Sequence, residues 1–324
     1  MNIRPRINRW TAARRDLLFG DSVLASLVQP HFVVHGVGVD EPIRGMPGIH
    51  QQSVDVLLKT VEEDASHGVR AVMLFGVVDA EHKDEHATHA HEASSHLHQA
   101  VLKLKAAHGE DLVVMTDVCL CTATDHGHCG LVHEGEIVND ASVEVLVNIA
   151  LSHAEAGADY VCASDMMDGR VSAIRTAFEG AGYTNTGLMS YSVKYASSFY
   201  GPFRHAAHSS PEFGDRATHQ MDVRSGYAEA VLEATMDEAE GADIIMVKPG
   251  LPYLDVLRKV ADTVARPVAV YNVSGEYAMI MNATDDEASR QRMVVEVLTA
   301  FKRAGADVVV TYHARDAARN GWVQ

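Results

Sequence analysis

The residues best suited to chemistry stand close together in one stretch, where Asp117-Val-Cys119-Leu-Cys121 is followed across a glycine-bearing loop by His126-Gly-His128-Cys129-Gly130. Cys119 and Cys121 alternate on one face of an extended segment, and the loop lets Cys129 fold back to meet them. Three thiolates leave a tetrahedral zinc one open position, the arrangement of a catalytic rather than a structural site. Two other readings stay open: His126 or His128 closing the site as a fourth ligand, and thiols that hold no metal. Cys162, within an apolar run, reads as a small buried hydrophobe.

Two lysines carry the second signal. Lys248 ends the apolar run Ile244-Ile245-Met246-Val247, and Lys194 ends Gly187–Val193. An ammonium in such surroundings, with a second cation beside it, loses solvation and is repelled, so its pKa falls. The neutral amine is then a nucleophile toward ketones and gives a Schiff base. The plainer alternative is that each lysine pairs with a carboxylate and props the rim of the fold. The segment Tyr195–Val223, mixing Gly, Pro, Ser and aromatics, is too long for an ordinary connection and reads as a lid or binding loop. Its Arg204 and Arg216 carry forked guanidinium groups suited to carboxylates.

These groups need a scaffold that gathers chain ends. Eight near-continuous apolar runs recur, at Leu27–Val34, Val69–Val78, Leu112–Leu120, Ala158–Ser164, Thr186–Lys194, Ala242–Pro249, Pro267–Ser274 and Ala306–His313. Lack of alternation marks parallel strands covered on both faces. Helical periodicity lies between them, as in Asp140–Ala156, for which Asn139 or Asp140 is the expected N-cap. Gly-Ala-Asp recurs at 157–159, 241–243 and 305–307, each glycine suiting the left-handed residue that ends a helix before a strand. Eight strands alternating with helices predict a (β/α)8 TIM barrel over 21–324, with residues 1–20 left as an N-terminal arm. A doubly wound open sheet is the rival, but Val34-His35-Gly36-Val37-Gly38-Val39 matches its glycine-rich phosphate turn poorly. In a barrel, chemistry sits where the strands end, and Asp117, Ser164, Lys194, Lys248, Ser274 and Tyr312 all fall there.

Composition sets the class. The 324 residues are 47% hydrophobic and 22% charged, enough for a full core. The 44 acidic against 27 basic side chains give a net charge of −17, a field that repels nucleic acid. No segment approaches the roughly 20 apolar residues of a membrane span, and the start has no signal-peptide run. A soluble, cytoplasmic protein acting on a small molecule is expected.

In combination the motifs resemble the porphobilinogen synthase (5-aminolevulinate dehydratase) family over nearly the whole chain. They are Met46-Pro47-Gly48, DVCLC at 117–121, HGHCG at 126–130, SDMMDGRV at 164–171, SVKYASSFYGPFR at 192–204, FGDR at 213–216, GADIIMVKP at 241–249 and VSGEYAMI at 273–280. The resemblance implies condensation of two molecules of 5-aminolevulinate to porphobilinogen with loss of two waters. It assigns Lys248 to the Schiff base with the substrate that becomes the propionate side, and Lys194 to the other. It puts zinc on Cys119, Cys121 and Cys129, the substrate amino group on Asp117 and Ser164, one carboxylate on Arg204, Arg216 and Gln220, and the other on Ser274 and Tyr312. It further implies a homo-octamer in which the arm, with Arg4, Arg6, Arg9, Arg14 and Arg15, docks on a neighbour, and an allosteric magnesium at Glu233. The chain departs from the family pattern at Ala163, His205, His219 and the stretch Asp222–Tyr227. Seven histidines between His82 and His108 are a further departure, read as a solvated face, with zinc or nickel capture as the sharper alternative. Within enzymes the rival is a class I Schiff-base aldolase, which needs one such lysine and no thiolate zinc; outside them, a catalytically dead scaffold would have lost a lysine or a thiol.

Overall fold

The computed structural model describes residues 3–323. Met1, Asn2 and Gln324, at the outer ends of the expected arm and barrel segments, lie outside the described residues. Eight parallel strands form the barrel: β1 (Leu27–Val34), β2 (Ala71–Gly76), β3 (Val113–Val118), β4 (Tyr160–Ala163), β5 (Gly187–Lys194), β6 (Ile244–Lys248), β7 (Val268–Asn272) and β8 (Val308–Thr311). Each lies within its predicted apolar run. Pairing of Leu27 with Val309 and Val28 with Val310 joins β1 to β8 and closes the sheet, which excludes the open-sheet alternative. The Gly36–Gly38 loop is no anion cradle either, because the Gly38 amide donates to the Asp55 carboxylate at 3.1 Å.

Continuous apolar strands are explained by two cores. Met73, Phe75, Met115, Cys162, Met189, Met246 and Val310 fill the barrel interior, while Val72, Val114, Val161, Leu188, Ile245 and Val309 pack outward against the helices. The helices that cover the strands include α1 (Ala12–Phe19) on the arm, α2 (Val54–Ser66), α3 (His96–His108), α4 (Asn139–Glu155) and α5 (Arg170–Ala181). The expected cap of α4 is corrected: Val138 is its N-cap, and the Asn139 side chain instead bonds the Asp168 backbone in both directions.

The Gly-Ala-Asp repeat has one structural meaning in all three places. Gly157, Gly241 and Gly305 adopt φ of 95°, 107° and 104°. Each following aspartate then clamps the preceding strand twice. Its amide donates to Val114, Leu188 or Val268 (2.7–2.8 Å), and its carboxylate accepts from the amide of that same residue (2.8–2.9 Å). These groups at the barrel floor would otherwise be buried polar atoms without partners.

The arm seals that floor. Ile7, Ala13, Leu17 and Leu18 join the interior core, and Arg14 pairs with Asp159 at 2.9 Å. Arg4 pairs with Glu179 of the same chain, so these two of the five arm arginines are engaged with their own barrel.

Candidate active site

β5 and β6 bring Lys194 and Lys248 into register as direct partners at the C-terminal rim. Lys194 donates to the Ser164 carbonyl. Lys248 sits in an aromatic box, its Nζ 4.4 Å from the ring centre of Tyr271, 4.9 Å from Tyr191, 5.2 Å from Tyr200 and 5.4 Å from Phe203. Rings attract a cation, but burial and the neighbouring Lys194 charge prevail and bring the Lys248 pKa down to about 7. Its amine is therefore substantially neutral near physiological pH. Asp117, aimed inward from β3, is pushed up to about 6 by burial, against the pull of Lys248 and a hydrogen bond with Ser164. The box was not singled out from sequence; inward parity in β5 and β7 was the signal for Tyr191 and Tyr271.

Beyond β3 the three thiols converge. The Sγ atoms of Cys119, Cys121 and Cys129 all lie within 4.8 Å of one another, with Cys119 and Cys121 at 3.3 Å. Zinc–sulfur bonds of about 2.3 Å at tetrahedral angles put sulfurs roughly 3.8 Å apart, so the cluster fits such an ion. Neither His126 nor His128 joins it. His128 Nε2 instead lies 3.0 Å from the Phe213 carbonyl, and His126 Nδ1 accepts from the His128 amide. Hydrogen bonds from Cys119 and Cys121, helped by Arg216, hold the Cys129 thiol well below its ordinary range. Cys119 is correspondingly pushed up. Cys162 is buried inside β4, with its thiol pushed up by burial, as expected.

The long segment after β5 lies across the rim. The Tyr195 amide donates to the Lys248 carbonyl and the Met221 amide to the Lys194 carbonyl, both at 3.0 Å. Further along, α6 (Gly201–Ala206) is fixed by Ser274, whose Oγ accepts from the Phe203 amide at 2.9 Å. Gly127 makes the lid's contact with the cysteine loop possible, since a Cβ there would meet the Ser210 carbonyl oxygen at 2.4 Å. Arg216 ties the same two segments by donating to the Gly127 and Ser209 carbonyls. With the lid seated, Lys194 is 5% and Lys248 6% exposed.

Around the lid the expected binding residues are gathered with unused capacity. Arg204 Nε, Arg216 Nε and both amide atoms of Gln220 are buried without hydrogen-bond partners, and the Arg204 pKa is lowered by burial and the Arg216 charge. Two guanidinium groups and an amide left in this state call for an anion. Tyr312, at the end of β8, bonds the Tyr271 hydroxyl at 3.0 Å. Glu233 stands apart from the lysines, on α7 (Tyr227–Glu240). It lines an outer cavity of about 290 Å³ with Asp168, Asp222 and Glu229.

A closed (β/α)8 barrel with paired rim lysines beside a three-thiol cluster that could hold a metal is the framework of a barrel enzyme. The chain belongs to the delta-aminolevulinic acid dehydratase family, the porphobilinogen synthases, which are hydro-lyases: the profile of the family described as "Delta-aminolevulinic acid dehydratase" matches residues 2–320. Relatives of that name from Halalkalibacterium halodurans (47% identical, covering 98% of this chain and 96% of the relative) and Methanothermus sociabilis (46%, covering 96% and 93%) are similar throughout. A crystal structure of the Toxoplasma gondii enzyme in complex with its reaction product porphobilinogen superposes with a TM-score of 0.89 at 46% identity, covering 98% of this chain and 91% of the other. Dihydropteroate synthase from Xanthomonas albilineans shares the fold alone (TM-score 0.52, 12% identity, covering 92% and 90%).

Proposed function

We propose that this chain condenses two molecules of 5-aminolevulinate into porphobilinogen, releasing two waters. The observation that carries the reading is the Lys194–Lys248 register pair beside the Cys119–Cys121–Cys129 trio. The neutral Lys248 amine attacks the ketone of the first substrate, and loss of water leaves a Schiff base. Lys194, held by the Ser164 carbonyl, engages the second ketone. Asp117 and Ser164 hold the amino group of the first substrate. Arg204, Arg216 and Gln220 grip one carboxylate with the donors they leave unused. Ser274 and Tyr312 exchange their bonds to Phe203 and Tyr271 for the other. The lid excludes water from imines that would otherwise hydrolyse. Cys119, Cys121 and Cys129 would hold zinc, which when bound would supply Lewis acidity toward a substrate carbonyl.

Magnesium at Glu233 belongs to the same reading and is supported by the acidic cavity it shares with Asp168, Asp222 and Glu229; burial and Asp237 raise the Glu233 carboxyl to about 7. Homo-octameric assembly is supported by Trp10 and Phe19, large apolar side chains left 44% and 61% exposed on the arm. No described helix is long and apolar enough to cross a membrane, and dependence on three reduced thiols supports a cytoplasmic setting.

The test is borohydride trapping with 5-aminolevulinate, peptide mapping of the adduct, and a colour assay for the pyrrole. Adduct on Lys248 with pyrrole formed is the expected result. Zinc-loaded protein that gives neither overturns the reading, and an adduct formed on Lys248 by a different keto acid without pyrrole returns it to the aldolase class.

A further inference from the structure

The histidines of the 82–108 region do more than face solvent. His35 follows β1, His82 and His89 lie in two short turns, and His96 opens α3. Their rings form a continuous ladder, with centroids 6.3 Å apart from His35 to His82, 5.2 Å from His82 to His89, and 5.8 Å from His89 to His96. Seven-residue spacing of the last three is not a helical stripe, since they belong to three separate elements. His35 and His82 are exposed, His89 is half-buried and His96 is buried.

At the inner end lies a cavity of about 20 Å³, whose wall includes His89, His96, His153, Thr122, Asp117 and Cys119. This is room for about one water-sized occupant. His96 is 7% and His153 1% exposed. Both ring nitrogens of His153 lack partners, and those of His96 fall outside hydrogen-bond geometry, with the Val33 carbonyl only a weak polar neighbour. A solvated histidine face would give its ring nitrogens to water. Buried imidazoles without partners, lining one cavity with a thiol and a carboxylate, are single donors suited to passing on a borderline divalent cation; among the described residues only the three cysteines converge closely enough to hold one.

The destination of such an ion is adjacent. Cys119, Cys121 and Cys129 are all buried, and the lid and its Arg216 ties cover them from the mouth of the barrel. A hydrated ion reaches buried thiols only by exchanging its waters stepwise for protein ligands. We propose that the His35–His82–His89–His96 ladder and the cavity behind it form the route by which a divalent transition metal enters the three-thiol site. This rests on the reading of that site as a metal site. As the ion arrives, it leaves imidazole nitrogen for thiolate sulfur, and the displaced thiol protons pass to solvent. Burial, with the His89 charge, lowers the His96 pKa to about 4, so this rung is unprotonated at neutral pH and open to metal.

The test follows Co2+ loading of the full-length, chelator-stripped protein through the thiolate-to-cobalt charge-transfer band. The His35→Gln and His82→Gln double variant alters only the two exposed outer rungs, away from the cavity wall and the catalytic groups. His86→Gln, an exposed histidine beside Glu85 and off the ladder, serves as the control. The ladder variant is expected to reach the same final band but about tenfold more slowly, the low end of what losing a supporting partner costs a metal site, while the control loads at the unaltered rate. Equal rates in all three proteins overturn the route, as does equal slowing of both variants. Absence of the band from the fully loaded unaltered protein overturns the metal site itself, and the route with it.

Discussion

Lys194 and Lys248 face each other across β5 and β6 because β5 carries one extra residue. Ile245 pairs with Ser190 and Val247 with Val193, so two residues, Tyr191 and Ser192, stand opposite Met246 alone. Met189 and Tyr191 point into the barrel while Leu188 and Val193 point out. Strict alternation from Tyr191 would have turned Lys194 outward with the helix-facing residues. The bulge reverses the parity and returns its amine to the interior beside Lys248.

The two amines should separate by substitution. Lys248→Ala is expected to abolish both the borohydride-trapped adduct and the pyrrole. Lys194→Ala should keep the adduct on Lys248 while product formation collapses. Adduct mapped to Lys194 in the first variant, with pyrrole still formed, would reverse the assignment.

Trapping on Lys248 should also report its titration. The neutral amine is the nucleophile, and its pKa is brought to about 7. The initial trapping rate is therefore expected to rise about tenfold per pH unit below that value and to level off above it. A rate still climbing toward pH 10 would mean an ordinary, unperturbed lysine.

Cys129→Ala should lose bound zinc together with most product formation, as should chelation of the unaltered protein. Activity should return on adding zinc to the chelated protein but not to the variant. Metal content measured alongside activity checks this, and full turnover by metal-free protein would dismiss the Lewis-acid role.

Arg204 and Arg216 should behave differently, although both are assigned to one carboxylate. Loss of a charged hydrogen-bond donor costs about 1.5–3 kcal/mol, or roughly ten- to a hundredfold in KM. Arg204→Ala is expected to show that effect alone. Arg216→Ala should add weaker zinc retention, because its guanidinium joins the cysteine loop to the lid. Unchanged KM in both would remove them from the binding site.

The barrel floor should be sensitive to Asp243. It clamps Leu188 and pairs with Arg175, both wholly buried, and removing one partner of a buried pair costs about 3–5 kcal/mol. Asp243→Ala should lower the thermal midpoint far more than Asp262→Ala, whose salt bridge with Arg258 is on the surface. Comparable shifts would show that the repeat is not a structural clamp.

Acid should destabilise the fold through its buried histidines. Burial holds His153 and His313 near 3, below their unfolded value of about 6.5. Above about 6.5 both states are neutral. Between there and 3 the unfolded chain binds more protons, so stability falls as pH falls, by at most about 1.4 kcal/mol per unit for each group. Calorimetry should find a shallower decline for His153→Gln; an identical slope would locate acid sensitivity elsewhere.

Local sequence determined the strands, the glycines that end helices, and the residue types of the site, because hydrophobic periodicity, left-handed backbone and thiol or amine chemistry are properties of short stretches. Cys119, Cys121 and Cys129 were legible for that reason, as were two lysines ending apolar runs. Tertiary structure alone decided the rest. The β5 bulge gives Lys194 its inward direction, the converging strands build the aromatic box of Lys248, and the pairing of Phe213 with His128 keeps that histidine outside the thiol cluster. Arg14 looked like a docking residue until the fold placed Asp159 beside it, and His82, His89 and His96 looked like a polar face until three elements stacked them. Direction and partnership depend on groups far apart in the chain, which meet only when the barrel closes.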